Sequence, residues 1–243
     1  MLLSVDGLEA GYGRARVLRG VHIAVREGEI VCVLGANGAG KTTMLRTISG
    51  VLTAWKGTIQ FLGEPLTGPI EGRARKGLGH VPEGRGIFAS LTVEENLVLG
   101  LSAHRDRSPV AAWPHILDVF PALRPRLKLR AGTLSGGQQQ MLSLARGLVA
   151  QPRLLMVDEL SLGLAPVIVE DLYSLISKVR EAGTSFLLVE QSAGVLSIAD
   201  RAFVLSHGET VLEDDARNLR STSFGKLARV YLGSGAVAAN SLD

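Results

Sequence analysis

Apolar and polar positions change period along this chain. From Val17 to Val25 they alternate, with Val21, Ile23 and Val25 sharing one side, as in a half-buried strand. Leu2 to Ala10 and Gly57 to Leu62 also read as strands. Elsewhere the strand spans are nearly continuous apolar runs: Ile30 to Leu34, Arg153 to Val157 with Leu154 to Val157 unbroken, and Thr184 to Val189 with Phe186 to Val189 unbroken. Short continuous runs of this kind predict strands covered on both faces. Met141, Leu142, Leu144, Ala145 and Leu148 recur at helical spacing and predict an amphipathic helix reaching about Ala150. Helices are also expected from about Thr42 to Ser49 and from about Pro166 to Glu181, with a short basic one from about Pro69 to Lys76. Thr92-Val93-Glu94-Glu95 has the form of a capping box and opens a helix through about Leu101. Gly79-His80-Val81 reads as the approach to a sharp loop, Pro82-Glu83-Gly84-Arg85. After Glu190-Gln191-Ser192 a short helix leads to a strand from Arg201 to Leu205. Thr210 to Glu213 then pairs back across Ser206-His207-Gly208.

Alternating strands and helices from about residue 150 onward predict a parallel sheet with helices on its faces. The segment before Ile30 reads as an antiparallel edge. Prolines 109, 114, 121 and 125 separate short helical pieces that carry arginines. Residues 85–150 are therefore expected to form a helical subdomain inserted into a single domain of residues 1–243. From about Phe224 the tail is expected to fray.

Composition narrows the class. With 46% apolar and 20% charged residues the chain is globular, not disordered. No uncharged apolar run reaches the roughly 18 residues a membrane-spanning helix needs. Cys32 is the single cysteine, so no internal disulfide is available; it reads as a small buried hydrophobe in a reducing cytosol. Met1 to Asp6 shows no basic leader, so no export signal is expected. A net charge of +3 gives little reason to expect a nucleic-acid partner, and none is assigned. The five histidines (22, 80, 104, 115, 207) show no ligand spacing, so no metal other than Mg²⁺ is assigned.

The chemistry begins at Gly35-Ala36-Asn37-Gly38-Ala39-Gly40-Lys41-Thr42, a Walker A phosphate loop between an apolar strand and a helix. Gly35, Gly38 and Gly40 let the backbone turn N–H groups onto phosphate oxygens, and the helix dipole adds to them. Asn37 sits at the loop's tip. Lys41 supplies a charge for the β- and γ-phosphates. The Thr42 hydroxyl is placed to ligate Mg²⁺, with Thr43 beside it. Upstream, Tyr12 lies between two glycines, where its ring could stack on an adenine. Downstream, Leu154 to Val157 ends in Asp158-Glu159. Asp158 can hold Mg²⁺ as a Walker B acid does, and Glu159 can polarise the attacking water. Leu134-Ser135-Gly136-Gly137-Gln138 opens the amphipathic helix. Ser135 and Gly137 there make a second anion site. One chain has one Walker A triphosphate, so this second site implies service to another subunit's nucleotide, with ATP between two subunits.

In this order, these motifs resemble those of an ATP-binding cassette (ABC) ATPase over nearly the whole chain. The resemblance implies an α/β fold with a P-loop NTPase core: a parallel sheet flanked by helices, an antiparallel N-terminal β part and an inserted helical subdomain. Val81 to Arg85, Leu91 to Leu97, Ser161-Leu162-Gly163-Leu164-Ala165-Pro166 and Leu187 to Gln191 are similar to the smaller of two ATPase subunits of branched-chain amino acid importers. That likeness implies ATP and Mg²⁺ as cofactors and a second ABC ATPase subunit as partner. It also implies two transmembrane permease subunits, an extracytoplasmic substrate-binding protein, and a place on the cytoplasmic face of a bacterial membrane. ATPases for urea, amide or lipopolysaccharide transport, and regulatory ABC-type ATPases, remain alternatives.

Three positions depart from the wider family pattern. Glu83 stands where a Gln is usual, and would still reach Mg²⁺ or water. Gln191 stands where the switch His is usual; it can donate to a γ-phosphate but cannot be a cation. Leu160 replaces a frequent Pro, with only a small backbone effect expected.

Overall fold

The structure, a computed structural model, describes residues 1–103 and 109–221, apart from the side chains of residues 109–113. The expected tail from Phe224 and His104 fall outside the described residues.

Two sheets form the framework. β1 (Leu3–Tyr12), β2 (Ala15–Val25), β4 (Lys56–Phe61) and β5 (Glu64–Pro65) make an antiparallel sheet of order β2-β1-β4-β5. β3 (Ile30–Leu34), β6 (Leu78–Val81), β7 (Leu154–Asp158), β8 (Ser185–Glu190), β9 (Arg201–Ser206) and β10 (Glu209–Asp215) make the second, of order β10-β9-β3-β8-β7-β6. Its members pair in parallel except β10, which returns antiparallel along β9. The N-terminal strands are thus a separate sheet, not an edge of the parallel one. The cause lies in their half-buried pattern: Val5, Leu8, Val21 and Ile23 need an apolar surface to cover one face.

That surface is one side of β3. Val31 and Val33 point to it and join the N-terminal strands and α1 (Lys41–Ser49) in one apolar cluster. Ile30, Cys32 and Leu34 point the other way. They pack with α5 (Gly136–Leu148) and α6 (Pro166–Glu181) in a second cluster. The continuous apolar run of β3 therefore follows from burial on both faces, two residues per repeat. Cys32 is fully buried, and burial pushes its thiol up to about 12, so it behaves as a hydrophobe.

Two strands are absent from the sequence-based expectation, the two-residue β5 and β6. Leu78–Val81 pairs in parallel with Leu154–Val157. Four residues with a Gly and a His give no periodic signal, and only the neighbouring strand makes β6 visible. α2 (Ile70–Arg75) precedes it. Between β6 and β7 the regular elements among the described residues are helices, joined by loops. α3 (Val93–Leu99) carries the expected capping box at Thr92 and Glu95. α4 (Pro109–Val119), two 3₁₀ turns (Pro121–Arg126, Ala131–Thr133) and α5 follow. Thr92 and Arg130 make a single bridge there.

The β9–β10 turn touches the phosphate loop. The Gly208 N–H donates to the Ala39 carbonyl at 2.9 Å, and its carbonyl accepts from the Arg19 N–H at 2.8 Å. Gly208 has φ 83°, and a Cβ there would lie 1.9 Å from the Val17 carbonyl oxygen. The Gly208→Ala variant is therefore expected to lose about 1–3 kcal/mol through backbone overlap. A thermal melt should show a lowered midpoint, and an unchanged one would contradict this close approach.

Candidate functional site

β3 ends at Leu34, and the next residue has no room for a side chain. A Cβ on Gly35 would lie 2.5 Å from the Leu205 carbonyl oxygen of β9. The loop therefore leaves the sheet at a fixed angle. It enters α1 at Gly40 without a side-chain cap, so the first N–H groups of α1 keep their donor capacity for an anion. A cavity of about 480 Å³ opens here. Asn37, Gly38, Gly40, Lys41, Thr42 and Thr43 line it, together with Glu83, Glu159, Val17 and Leu162.

Lys41 is buried. Its Nζ donates to the Gly35 carbonyl at 2.8 Å and to the Ala36 carbonyl at 3.2 Å, and stands 3.2 Å from Glu159 Oε1. The ammonium thus joins the loop to the acid that follows β7. Glu159 sits at φ 48°, and its N–H donates to the Val189 carbonyl at 2.8 Å.

Asp158 ends β7 only 1% exposed, with neither carboxylate oxygen hydrogen-bonded to protein. Burial pushes its carboxyl up to about 6, and the Glu83 and Glu159 carboxylates push the same way. The Thr42 hydroxyl and the Lys41 ammonium favour the ionised form. Thr42 stands near enough to act electrostatically but makes no well-formed hydrogen bond to this carboxylate. Orphaned buried acceptors cost free energy unless a donor or cation meets them. Among the described residues, no three His, Cys, Asp or Glu side chains converge on a self-sufficient metal cage. One buried carboxylate beside a hydroxyl suits Mg²⁺, which takes few protein ligands and completes its shell with phosphate oxygens and water. These residues therefore fit the metal.

Other sequence-expected residues do not line the cavity. Tyr12 is 45% exposed and accepts a hydrogen bond from Arg46 Nη1 at 3.2 Å; its ring does not line the cavity. Gln191 is exposed, just beyond β8, and does not line it either. Ser135 caps α5. Its Oγ accepts the Gln138 N–H while Gln138 Oε1 accepts the Ser135 N–H. Gly137 packs against α6, where a Cβ would lie 2.8 Å from the Ile168 side chain. Neither Ser135 nor Gly137 lines the cavity. The loop of Glu83 is tied to α5: Arg85 Nη1 donates to Gln139 Oε1 at 2.6 Å, and Ser143 Oγ donates to the Arg85 carbonyl. Leu160 is buried in the apolar core, so it contributes packing and not only backbone shape.

Glu190 was not singled out by the sequence. It is 2% exposed and accepts from the Ser161 N–H at 3.0 Å and the Ser161 hydroxyl at 2.7 Å. The available signal was a carboxylate closing an apolar strand, which a buried position must satisfy.

The sequence profile described as "ABC transporter" matches residues 18–161. The chain is 43% identical over 235 residues to the high-affinity branched-chain amino acid transport ATP-binding protein BraG of Pseudomonas aeruginosa, covering 96% of this chain and 100% of the relative. It is 36% identical to the probable branched-chain amino acid transport ATP-binding protein LivF of Archaeoglobus fulgidus, covering 90% of this chain and 94% of that one. Among solved structures, the ADP conformation of MJ1267, an ATP-binding cassette of an ABC transporter, superposes with a TM-score of 0.82. It is 25% identical, with 96% of this chain and 98% of that chain covered. With the phosphate loop, the Asp158-Glu159 pair and the Ser135 helix start in place on this fold, the chain belongs to the ABC transporter ATPases, the nucleotide-binding subunits whose ATP hydrolysis is coupled to transport.

Proposed function

We propose that this chain is an ATPase subunit of a bacterial importer for leucine, isoleucine and valine, working on the cytoplasmic face of the membrane. The similarity to BraG along that protein's entire length carries the reading. Among the described residues no helix is long and apolar enough to cross a membrane, so translocation falls to permease subunits. A second ABC ATPase subunit, two permeases and an extracytoplasmic binding protein complete the assembly in this reading.

The residues have these roles. The loop N–H groups and Lys41 bind the phosphates of ATP. Thr42 and Asp158 hold Mg²⁺, with Glu83 close by. When bound, Mg²⁺ neutralises charge developing on the β- and γ-phosphate oxygens. Glu159 orients and polarises the attacking water. Gln191 donates to the γ-phosphate. Tyr12 stacks on the adenine. Ser135 and Gly137 act on the nucleotide of the facing subunit, which agrees with their absence from this chain's own cavity. A cavity of about 490 Å³ between α2, β6 and α5, lined by Arg73, His80, Gly100 and Arg146, is offered to a permease helix. Arg146 lies over the Phe88 ring at 5.5 Å, so this cavity adjoins the Glu83 loop.

Three outcomes are expected. In cells lacking this subunit, uptake of labelled leucine should return with the wild-type chain and stay at background with Glu159→Gln. Restored urea or amide uptake, or lipopolysaccharide export, without leucine uptake would replace this cargo. Asp158→Asn removes the buried anion, so Mg²⁺-dependent hydrolysis should fall by on the order of 10²-fold, the scale of a lost preorganised electrostatic contact. Retention of the rate would remove Asp158 from the metal site. Gln191→His adds a chargeable donor and should raise hydrolysis about 2- to 10-fold, as one improved hydrogen bond of about 0.5–1.5 kcal/mol allows. An unchanged or lower rate would sink that role for Gln191.

A further inference from the structure

The segment after β7 is pinned to the end of β8 at two successive residues. The Glu159 N–H donates to the Val189 carbonyl at 2.8 Å. Two residues on, the Ser161 N–H and hydroxyl both donate to the carboxylate of Glu190, one to each oxygen. Between these anchors, Glu159 is held at φ 48°, a conformation that L side chains seldom adopt and that surrounding contacts must enforce.

Glu190 is an expensive choice for an anchor. It is buried, and among the described residues no cation pairs with it: the charged group acting on it is Glu159, another carboxylate, and burial raises its pKa. The Cys32 thiol of β3 and the Tyr173 hydroxyl of α6 lie within its field, each pushed up first by burial and then by the Glu190 charge. A wholly structural post at the end of an apolar strand could be apolar at less cost. What an apolar residue cannot do is accept two hydrogen bonds from a turn that begins at Glu159 and faces Lys41 at 3.2 Å.

We infer that Glu190 is a positioning residue for hydrolysis, and that its bidentate grip on Ser161 fixes the Glu159 carboxylate beside the phosphate loop. Gln191 follows it directly, so one strand end sets both the turn that carries the water-orienting acid and the start of the γ-phosphate contact. The inference rests on the role given to Glu159 above.

The test uses the chain assembled with its partner ATPase and permease subunits, with Mg²⁺–ATP as the probe. Glu190→Ala should lower kcat about tenfold or more while the equilibrium affinity for ATP changes less than about twofold, since the phosphate loop is untouched. Glu190→Gln keeps the shape: its amide oxygen accepts the Ser161 N–H and its amide nitrogen donates to the Ser161 hydroxyl. It should retain at least about half the rate. Ser161→Ala loses only the hydroxyl bond and should cost about threefold. The double variant Glu190→Ala/Ser161→Ala should be no slower than Glu190→Ala alone, because both changes remove one interaction.

An unchanged kcat in Glu190→Ala would overturn the inference. So would additive losses in the double variant, a Gln variant as slow as the Ala variant, or a parallel loss of ATP affinity. Should Glu190→Ala not fold, Ser161→Ala decides: full activity there refutes the grip. Glu159→Gln separates the two levels. If that variant still hydrolyses ATP, the role of Glu159 fails; if it is inactive while Glu190→Ala is not, only the positioning role fails.

Discussion

The site depends on the register of three parallel strands. Leu34 of β3 lies opposite Glu190 of β8, and Val189 of β8 lies opposite Asp158 of β7. Parallel pairing brings the C-terminal ends of all three strands to one edge of the sheet, where ligands bind in open α/β folds. Each strand ends at that edge in a segment that bears on the candidate site. β3 releases the phosphate loop, β7 the Asp158-Glu159 pair, and β8 the Glu190-Gln191 pair. A one-residue slip of β7 would turn Asp158 to the opposite face and leave Lys41 without its 3.2 Å partner. The register is held because both faces of these strands are buried, and a slip would exchange packed side chains on both sides at once.

Burial that fixes the register also sets the electrostatics. The strand ends are dry, so a carboxylate there is costly and must be compensated. The three acids meet this cost differently. Asp158 keeps two unpartnered oxygens beside the phosphate loop, which suits a cation. Glu159 pairs with Lys41. Glu190 takes two donors from one serine. Burial is common to Asp158 and Glu190, so it does not separate their roles; what each acid faces does.

The strands of the sheet interior and the motif-bearing loops were legible in the sequence because their signals are local. Ile30–Leu34 and Pro166–Glu181 match the expected spans, since an unbroken apolar run and a proline-started amphipathic pattern need no knowledge of neighbours. β6 was not legible, because Leu78–Val81 becomes a strand only by pairing with β7. The separation of the N-terminal strands into their own sheet was also hidden. Alternation at Val21, Ile23 and Val25 says that one face is covered, but not by which surface. Spacing alone singled out Lys41, Thr42, Asp158 and Glu159 as candidates. Glu190 was silent, because its hydrogen bonds go to Ser161, 29 residues away along the chain.

The start of α5 carries the remaining step. Within one chain the Ser135 hydroxyl oxygen accepts from the Gln138 N–H, and the Ser135 backbone N–H donates to Gln138 Oε1 in return. The Gly136 and Gly137 N–H groups lie in the first turn of the helix, where no carbonyl of the same helix can reach them. A Cβ at Gly137 would meet the Ile168 side chain at 2.8 Å, so close packing demands that glycine; one at Gly136 would meet only the tip of Arg85, Nη2 at 3.0 Å. The helix start is thus fixed against the Arg85 loop on one side and α6 on the other, and its donors are presented as a rigid unit. Arg85 follows Glu83 by two residues, and Glu83 lines the phosphate cavity. Arg85 Nη1 donates to Gln139 Oε1 at 2.6 Å, so the loop that carries Glu83 and the start of α5 are joined by a direct side-chain contact.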